Sequence, residues 1–370
     1  MNYDDIRPYF DGEIPDAMRR IAALDVAPQI VRFVYPDSPV RLKLKQLSDV
    51  KSSRELQETF MNDAIKRIVA LTTDGLTHSG LGHIRRGGNY LFVSNHRDIT
   101  LDAFLLQHLL LEEKGDTSYI VFGDNLLAMP AAAELFRCNK MISMHRGGTP
   151  RAFYESLAHL SRYIHHLVGE QHQSVWIAQK NGRAKDGLDR TAPAILKMLA
   201  MGSDAEPIQA LEELNIVPMS ISYEWDPCDA MKANELALSS VGGYKKAPGE
   251  DLVSVVTGIQ GHKGKVHLAL GKPLTASELN PAEGVDLFDH VARLIDSRIV
   301  GAYRLMPSNY AACDMLSGSN RHRASYDAAV VRELERRTAA MADDTRRRLL
   351  LEQYANPVIS ADALRKGQLE

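Results

Sequence analysis

The chain has 370 residues, with 44 basic and 47 acidic side chains and a net charge of -3, which excludes a nucleic-acid binder acting through bulk positive charge. Hydrophobic residues at 45% and charged residues at 25% are globular values and exclude extensive disorder. Cys138, Cys228 and Cys313 form no C-x-x-C pair, which argues against a disulfide scaffold or a cysteine-built zinc site and makes a reducing compartment the default.

In chain order, residues 1–87 read as an N-terminal, mostly helical appendage. Its start, Met1 to Asp5, is acidic and lacks the basic-then-apolar pattern of a secretory signal. Pro8, Pro15, Pro28, Pro36 and Pro39 keep the first helices short. Leu56, Phe60, Ala64, Ile68 and Leu71 then recur at three- and four-residue spacing and predict an amphipathic helix. Gly80, Gly82, Gly87 and Gly88 mark the boundary.

Residues 88–273 read as an α/β domain. Strand-like runs occur at Tyr90–Ser94, Tyr119–Phe122, Met141–Met144, Val175–Ala178, Ile216–Ser222, Leu252–Gly258 and Val266–Leu270. Helical stripes separate them, such as Leu101, Phe104, Leu105 and Leu109, or Phe153, Leu157, Leu160, Ile164 and Val168. This alternation predicts a largely parallel central sheet flanked by helices, with ligands gathering at the carboxyl ends of the strands. Residues 274–370 read as a C-terminal helical region packing on that domain, with a stripe through Leu287, Val291, Leu294 and Ile299 and a charged helix over roughly 327–353. The most apolar stretches, around Leu101–Leu111 and 120–133, are short or broken by charge, so a soluble or peripheral, cytoplasmic protein is expected.

Four strand ends carry chemistry. The first is Ser94-Asn95-His96-Arg97-Asp98-Ile99-Thr100-Leu101-Asp102, where an imidazole at a strand's carboxyl end has two carboxylates, Asp98 and Asp102, in reach to orient it as a general base. Thr100 is placed to cap the next helix, and a plain helix-capping loop reads equally well from the residues alone. The triplet His96-Arg97-Asp98 mimics a kinase catalytic loop, but Ala103 stands where the required Asn belongs and no D-F-G follows. The second is Met141-Ile142-Ser143-Met144-His145-Arg146, then Gly147-Gly148-Thr149-Pro150, where Arg146 beside a helix start suits an anion, unless a carboxylate pairs with it. The third, Gln179-Lys180-Asn181-Gly182-Arg183-Ala184-Lys185, puts three cations on a glycine-bearing loop that suits an anionic substrate or is simply solvated. The fourth, Ile216 to Tyr223, is an apolar run with Val217, Pro218 and Ile221 that reads more simply as sheet core than as a tunnel wall. His165, His166 and His172 lack the spacing of a helical zinc site and read as structural.

The order of these four blocks over roughly residues 88–230 resembles the glycerolipid acyltransferase superfamily, with its H-x4-D motif. The resemblance implies acyl transfer from acyl-CoA or acyl-carrier protein to a hydroxyl of glycerol 3-phosphate or lysophosphatidic acid. By position it implies His96 as base, Asp102 or Asp98 as its carboxylate, Arg146, Arg183, Lys185 and Lys180 on the acceptor's phosphate, and Val217, Pro218 and Ile221 at the acyl site. Backbone amides at the following helix start are the expected oxyanion donors. No metal or other cofactor is implied, the acyl thioester being a substrate. The chain also departs from the pattern: five residues separate His96 from Asp102, and Gln179-Lys180 replaces the family's Glu-Gly. A quiet lipid- or anion-binding module on the same fold and a thioesterase-like hydrolase are the alternatives. Peripheral membrane contact through the terminal helices is expected, with Arg346–Arg348 the one basic hint; no nucleic-acid partner is.

Overall fold

Proline and short amphipathic stripes break the N-terminal region into small helices, as the sequence predicts: α1 (Ile14–Ala22), α2 (Ala27–Val34), α3 (Val40–Ser48), α4 (Ser53–Leu56) and α5 (Asn62–Thr72). The computed structural model describes residues 2–128, 130–145 and 147–369. Ile14, Met18, Val31 and Leu56 give the first helices their own apolar cluster, which reaches Cys138 in the central domain.

The α/β domain follows: β1 (Leu76–Ser79), β2 (Leu91–Ser94), α6 (Leu101–Lys114), β3 (Tyr119–Gly123), α7 (Pro130–Cys138), β4 (Met141–Met144), α8 (Pro150–His165), β5 (Val175–Ala178), α9 (Pro193–Ala200), α10 (Pro207–Glu213), β6 (Ile216–Tyr223), α11 (Asp229–Ser240), α12 (Glu250–Gln260) and β7 (Val266–Leu270). The seven strands form one sheet in the order β1-β7-β6-β2-β5-β3-β4. β6, β2, β5, β3 and β4 are parallel, so their carboxyl ends share one edge; β7 runs antiparallel to β6, and β1 runs parallel to β7. Period-2 alternation splits the core into two layers. Phe92 and Trp176 pack with Leu105, Leu106 and Leu109 of α6 on one face. Leu91, Val93, Val175 and Ile177 pack with Leu160 and Ile164 of α8 on the other. There Val291, Ile295 and Ile299 of α14 (Leu287–Ala302) complete the layer, after the short α13 (Ala276–Leu279). The last helices, α15 (Pro307–Ser317), α16 (Ala328–Ala339) and α17 (Asp344–Arg365), share a cluster around Leu334, Leu350 and Tyr354.

Three expectations change. The segment Leu76–Ser79, assigned to the appendage, is an edge strand of the sheet; its residues are mostly exposed and carry no apolar alternation to betray it. The run Leu252–Gly258 is not a strand but the middle of α12, where Glu250 and Asp251 favour the positive end of the helix and the valines face outward. The charged C-terminal helix is two helices, because Asp343 leaves helical geometry and caps α17 by accepting from the Arg346 N–H.

Candidate active site

The site is built where β2 stops. Asn95, fully buried, replaces the next rung of the ladder with its side chain: its Oδ1 accepts from the Ile221 N–H at 2.8 Å, and its Nδ2 donates to the Ile221 carbonyl and to Asp189, both at 3.0 Å. His96 follows on a turn thereby fixed to β6, and Asp102 comes round on the first turn of α6. Asp102 Oδ2 is 2.8 Å from His96 Nδ1 and also accepts the N–H of Arg97 (2.5 Å) and Asp98 (3.0 Å), while Oδ1 accepts the Tyr223 hydroxyl at 2.8 Å. A carboxylate only accepts, so Nδ1 is the donor in this pair, and in the neutral ring Nε2 is the acceptor. The ring meets Trp176 edge-on, with centroids 5.7 Å apart, and lines a cleft.

Of the two carboxylates left open by the sequence, Asp102 is the one on the imidazole. Asp98 Oδ1 accepts from the N–H of Thr100 (2.9 Å) and Leu101 (2.8 Å), so Asp98, and not Thr100, caps α6. Burial, and after it the nearby Asp102 carboxylate, push the Asp98 carboxyl above its ordinary range. The same hydrogen bonds narrow another expectation. The amides of Arg97, Asp98, Thr100 and Leu101 all serve carboxylates of the protein, so an oxyanion at the helix start would have to use other donors.

The third strand end is stitched to the first. The Ala184 N–H donates to the His96 carbonyl at 2.8 Å, and the buried Arg97 guanidinium reaches Asp189 at 2.6 Å and the Gly187 carbonyl at 3.2 Å. Lys180, Arg183 and Lys185 therefore line the same cleft as His96. Lys180 donates to the Leu188 carbonyl at 3.1 Å, and Lys185 is ion-paired with Glu235. Arg183 donates from Nη2 to Ser254 at 3.2 Å; its Nη1 is buried with no partner among the described residues, an unmet cationic donor in the cleft wall. Arg146 lies outside the described residues.

The cleft holds about 300 Å³, and its lining combines the apolar Phe104, Ile120, Phe122, Met141 and Trp176 with Lys180, Arg183 and Lys185 and the acidic Glu235, Glu250 and Asp251. Val217, Pro218 and Ile221 are not in this lining. β6 is covered on both edges, by β2 and β7, and Val217 and Ile221 fill the core beneath it. The apolar wall comes instead from β3, β4 and β5, on the open side of β2. A larger hollow, about 920 Å³ around Tyr3, Arg162 and His166, lies by the start of β3 and contains none of the strand-end residues. Sequence reasoning missed the roles of Asn95, Arg97, Asp189 and Tyr223; Asn95 and Arg97 stand just past the end of β2, whereas nothing local to Asp189 or Tyr223 marks them. Among the described residues, no group of three or more His, Cys, Asp or Glu side chains is gathered as a metal site, and no helix is long and apolar enough to cross a membrane.

Residues 75–222, which hold β1 through β5, β6 up to Ser222, and the turn with His96 and Asp102, match the family model described as Acyltransferase. A search of curated proteins finds no match. Among solved structures, the chain is similar to the 1-acyl-sn-glycerophosphate (LPA) acyltransferase PlsC from Thermotoga maritima, at 13% identity and a TM-score of 0.39, over 77% of this chain and 91% of that one. The family match thus lies over most of the sheet and its histidine turn, and it agrees with the superfamily that the four blocks resemble.

Proposed function

We propose that the protein moves a fatty acyl group from an acyl thioester, acyl-CoA or acyl-carrier protein, to a hydroxyl of glycerol 3-phosphate or lysophosphatidic acid. The observation that carries this reading is His96, held by Asp102 through Nδ1, lining one cleft together with apolar side chains and with Lys180 and Arg183, whose Nη1 has no partner among the described residues. Nε2 takes the proton of the acceptor hydroxyl as its oxygen bonds to the thioester carbonyl carbon. The tetrahedral intermediate collapses, the C–S bond breaks, and the leaving sulfur receives that proton back from the imidazolium. General base catalysis of this kind contributes about 10²- to 10⁴-fold. Asp102 keeps the imidazole in one tautomer and faces the imidazolium when it forms. Arg183 and Lys180, with Arg146, bind the acceptor's phosphate and so fix its hydroxyl near Nε2. The apolar side formed by Ile120, Phe122, Met141 and Trp176 takes the acyl chain.

Mass spectrometry of products, after incubation with mixed acyl-CoA species, acyl-carrier protein and a panel of glycerol phosphate and lysophospholipid acceptors, tests this directly. A phosphate-bearing acceptor gaining one acyl chain is the expected product. Free fatty acid released at a rate indifferent to acceptor means hydrolysis instead, and bound phospholipid with no new product means a binding module.

A further inference from the structure

Helix α11 carries a lysine in the stripe that it turns into the protein. That stripe is Asp229, Lys232, Ala233 and Ala237, and Lys232 is only 1% exposed. A buried ammonium is unfavourable unless it is paired and hydrogen-bonded, and here it is both. Lys232 is ion-paired with Asp226, and its Nζ donates to the Arg97 carbonyl at 2.7 Å. Burial by itself would raise the Asp226 carboxyl, but the Lys232 ammonium holds it below its ordinary range.

The carbonyl that Lys232 holds belongs to the histidine turn. The Arg97 carbonyl and the Asp98 N–H are the two ends of one peptide unit. That N–H donates to Asp102 Oδ2 at 3.0 Å, the same oxygen that lies 2.8 Å from His96 Nδ1. Ammonium, peptide, carboxylate and imidazole therefore form one hydrogen-bonded chain. A cation on the carbonyl polarises the peptide and makes its N–H a stronger donor, which leaves the carboxylate with less negative charge to offer the imidazole. The ammonium also repels an imidazolium directly. Both effects act with the same sign, against a second proton on His96.

We propose that Lys232 is a positioning residue for the acyl-transfer reaction: acting through the Arg97–Asp98 peptide and Asp102, it fixes the turn that carries His96 and keeps the imidazole from becoming too basic, so that the ring is unprotonated when the acceptor hydroxyl arrives. The purpose of this device rests on the acyl-transfer reading, but its measurement does not, since His96 titrates whether or not acyl groups are moved.

Other charged and titratable groups face the imidazole and its carboxylate. On the turn, Arg97 is engaged by Asp189 and Asp98 caps α6. From β6 comes the Tyr223 hydroxyl, and the Tyr303 ring, after α14, lies 5.4 Å from the Arg97 guanidinium. Lys180 and Arg183 line the cleft with His96, Lys185 is paired with Glu235, and α12 adds Glu250 and Asp251 to the lining. Lys263 and the Cys228 thiol feel the Asp98 and Asp226 carboxylates. All of these except Asp226 are left untouched by the variants that test the proposal, so a change in the titration of His96 reports the Lys232–Asp226 pair.

The test is an NMR pH titration of the full chain with isotope-labelled histidine, in which His96→Ala assigns the His96 resonance, run beside the pH profile of kcat/KM. The double variant Lys232→Met/Asp226→Asn removes both charges, so that neither is left without its counter-charge. Its His96 pKa is expected to rise by about half a unit or more, and the acidic limb of kcat/KM to move up with it. Lys232→Gln moves the same way should the double variant fail to fold. An unchanged or lowered His96 pKa overturns the proposal even where turnover falls, because a purely structural anchor lowers kcat without moving the titration. A raised pKa with no acylated product from the wild type removes the acyl-transfer reading and leaves the coupling of Lys232 to His96; acyl transfer with an unmoved titration does the reverse.

Discussion

Asp102 receives four hydrogen bonds, and only one comes from His96. Two backbone amides fix where the carboxylate sits, and Tyr223, reaching from the end of β6, fixes how it is turned. The hydroxyl is fully inside the protein, so its loss would leave Asp102 Oδ1 without its donor, a cost of about 1–3 kcal/mol. Tyr223→Phe removes that one atom and nothing else. We expect kcat to fall by about tenfold with KM nearly unchanged, because the tyrosine touches the carboxylate that holds the proposed base; steady-state kinetics checks it, and a rise in KM alone would assign Tyr223 to the substrate pocket. At this scale the sequence singles out the candidate base, because His96 stands just past the end of the buried strand β2, although a capping loop reads equally well from the residues alone. It does not show which carboxylate serves it, because Asp98 and Asp102 are both in reach and only the hydrogen-bonded turn, with Asp98 committed to the cap of α6, decides. Tyr223 and Asn95 act across 121 and 126 residues of chain, and no local pattern carries that information.

At the scale of elements, α12 depends on having no side chain where it crosses the catalytic turn. Gly258→Ala would drive a methyl into the Asp98 carboxylate, or push the helix away and take Ser254 from Arg183. Overpacking of this kind costs about 1–3 kcal/mol, and a fall in thermal midpoint together with lost turnover is the expected result; a variant as stable and as active as wild type would show that the contact is slack. The loop from α12 to β7 buries Lys263, whose ammonium donates to Thr72 Oγ1 at 2.9 Å and the Gly261 carbonyl at 2.7 Å. Burial lowers its pKa to about 8 from the ordinary 10.5. Below about 8 both folded and unfolded chains hold the proton, and the burial penalty is present in full. Between about 8 and 10.5 the unfolded chain holds more of it, so stability gains with rising pH. Lys263→Met should therefore be stabilised relative to wild type at neutral pH, with the difference shrinking above pH 8; denaturant unfolding of both proteins across that range measures it, and a constant difference would contradict it. Most strands are legible from their apolar runs, Met141–Met144, Val175–Ala178 and Val266–Leu270 to the residue. β1 and α12 are not. β1 is a polar edge strand, and α12 carries valines that read as strand because burial, the usual meaning of such a run, is here reversed.

For the whole molecule, topology does what spacing alone cannot. Five parallel strands bring the ends of β2, β5, β3 and β4 to one edge, and β6 returns beside β2 to supply Tyr223. The C-terminal helices then brace the third loop: Asn356 donates to the Asp186 carbonyl at 2.6 Å, and Gly187, at φ +79°, lies so close to α17 that a Cβ would meet the Gln353 carbonyl at 2.3 Å. Arg337 and Tyr354 hold Asp229, at the start of α11, at 2.6 and 2.7 Å, tying that region to the domain. The α/β class and the block order were readable from the chain; this bracing was not, because it depends on contacts between segments more than a hundred residues apart. All of it serves one imidazole, and the most direct measurement is acyl transfer by His96→Ala in the product assay, alongside its thermal unfolding. The expected result is a protein that unfolds at the wild-type temperature and forms no acylated acceptor above background; a folded variant that still transfers acyl groups at a comparable rate would contradict the central claim.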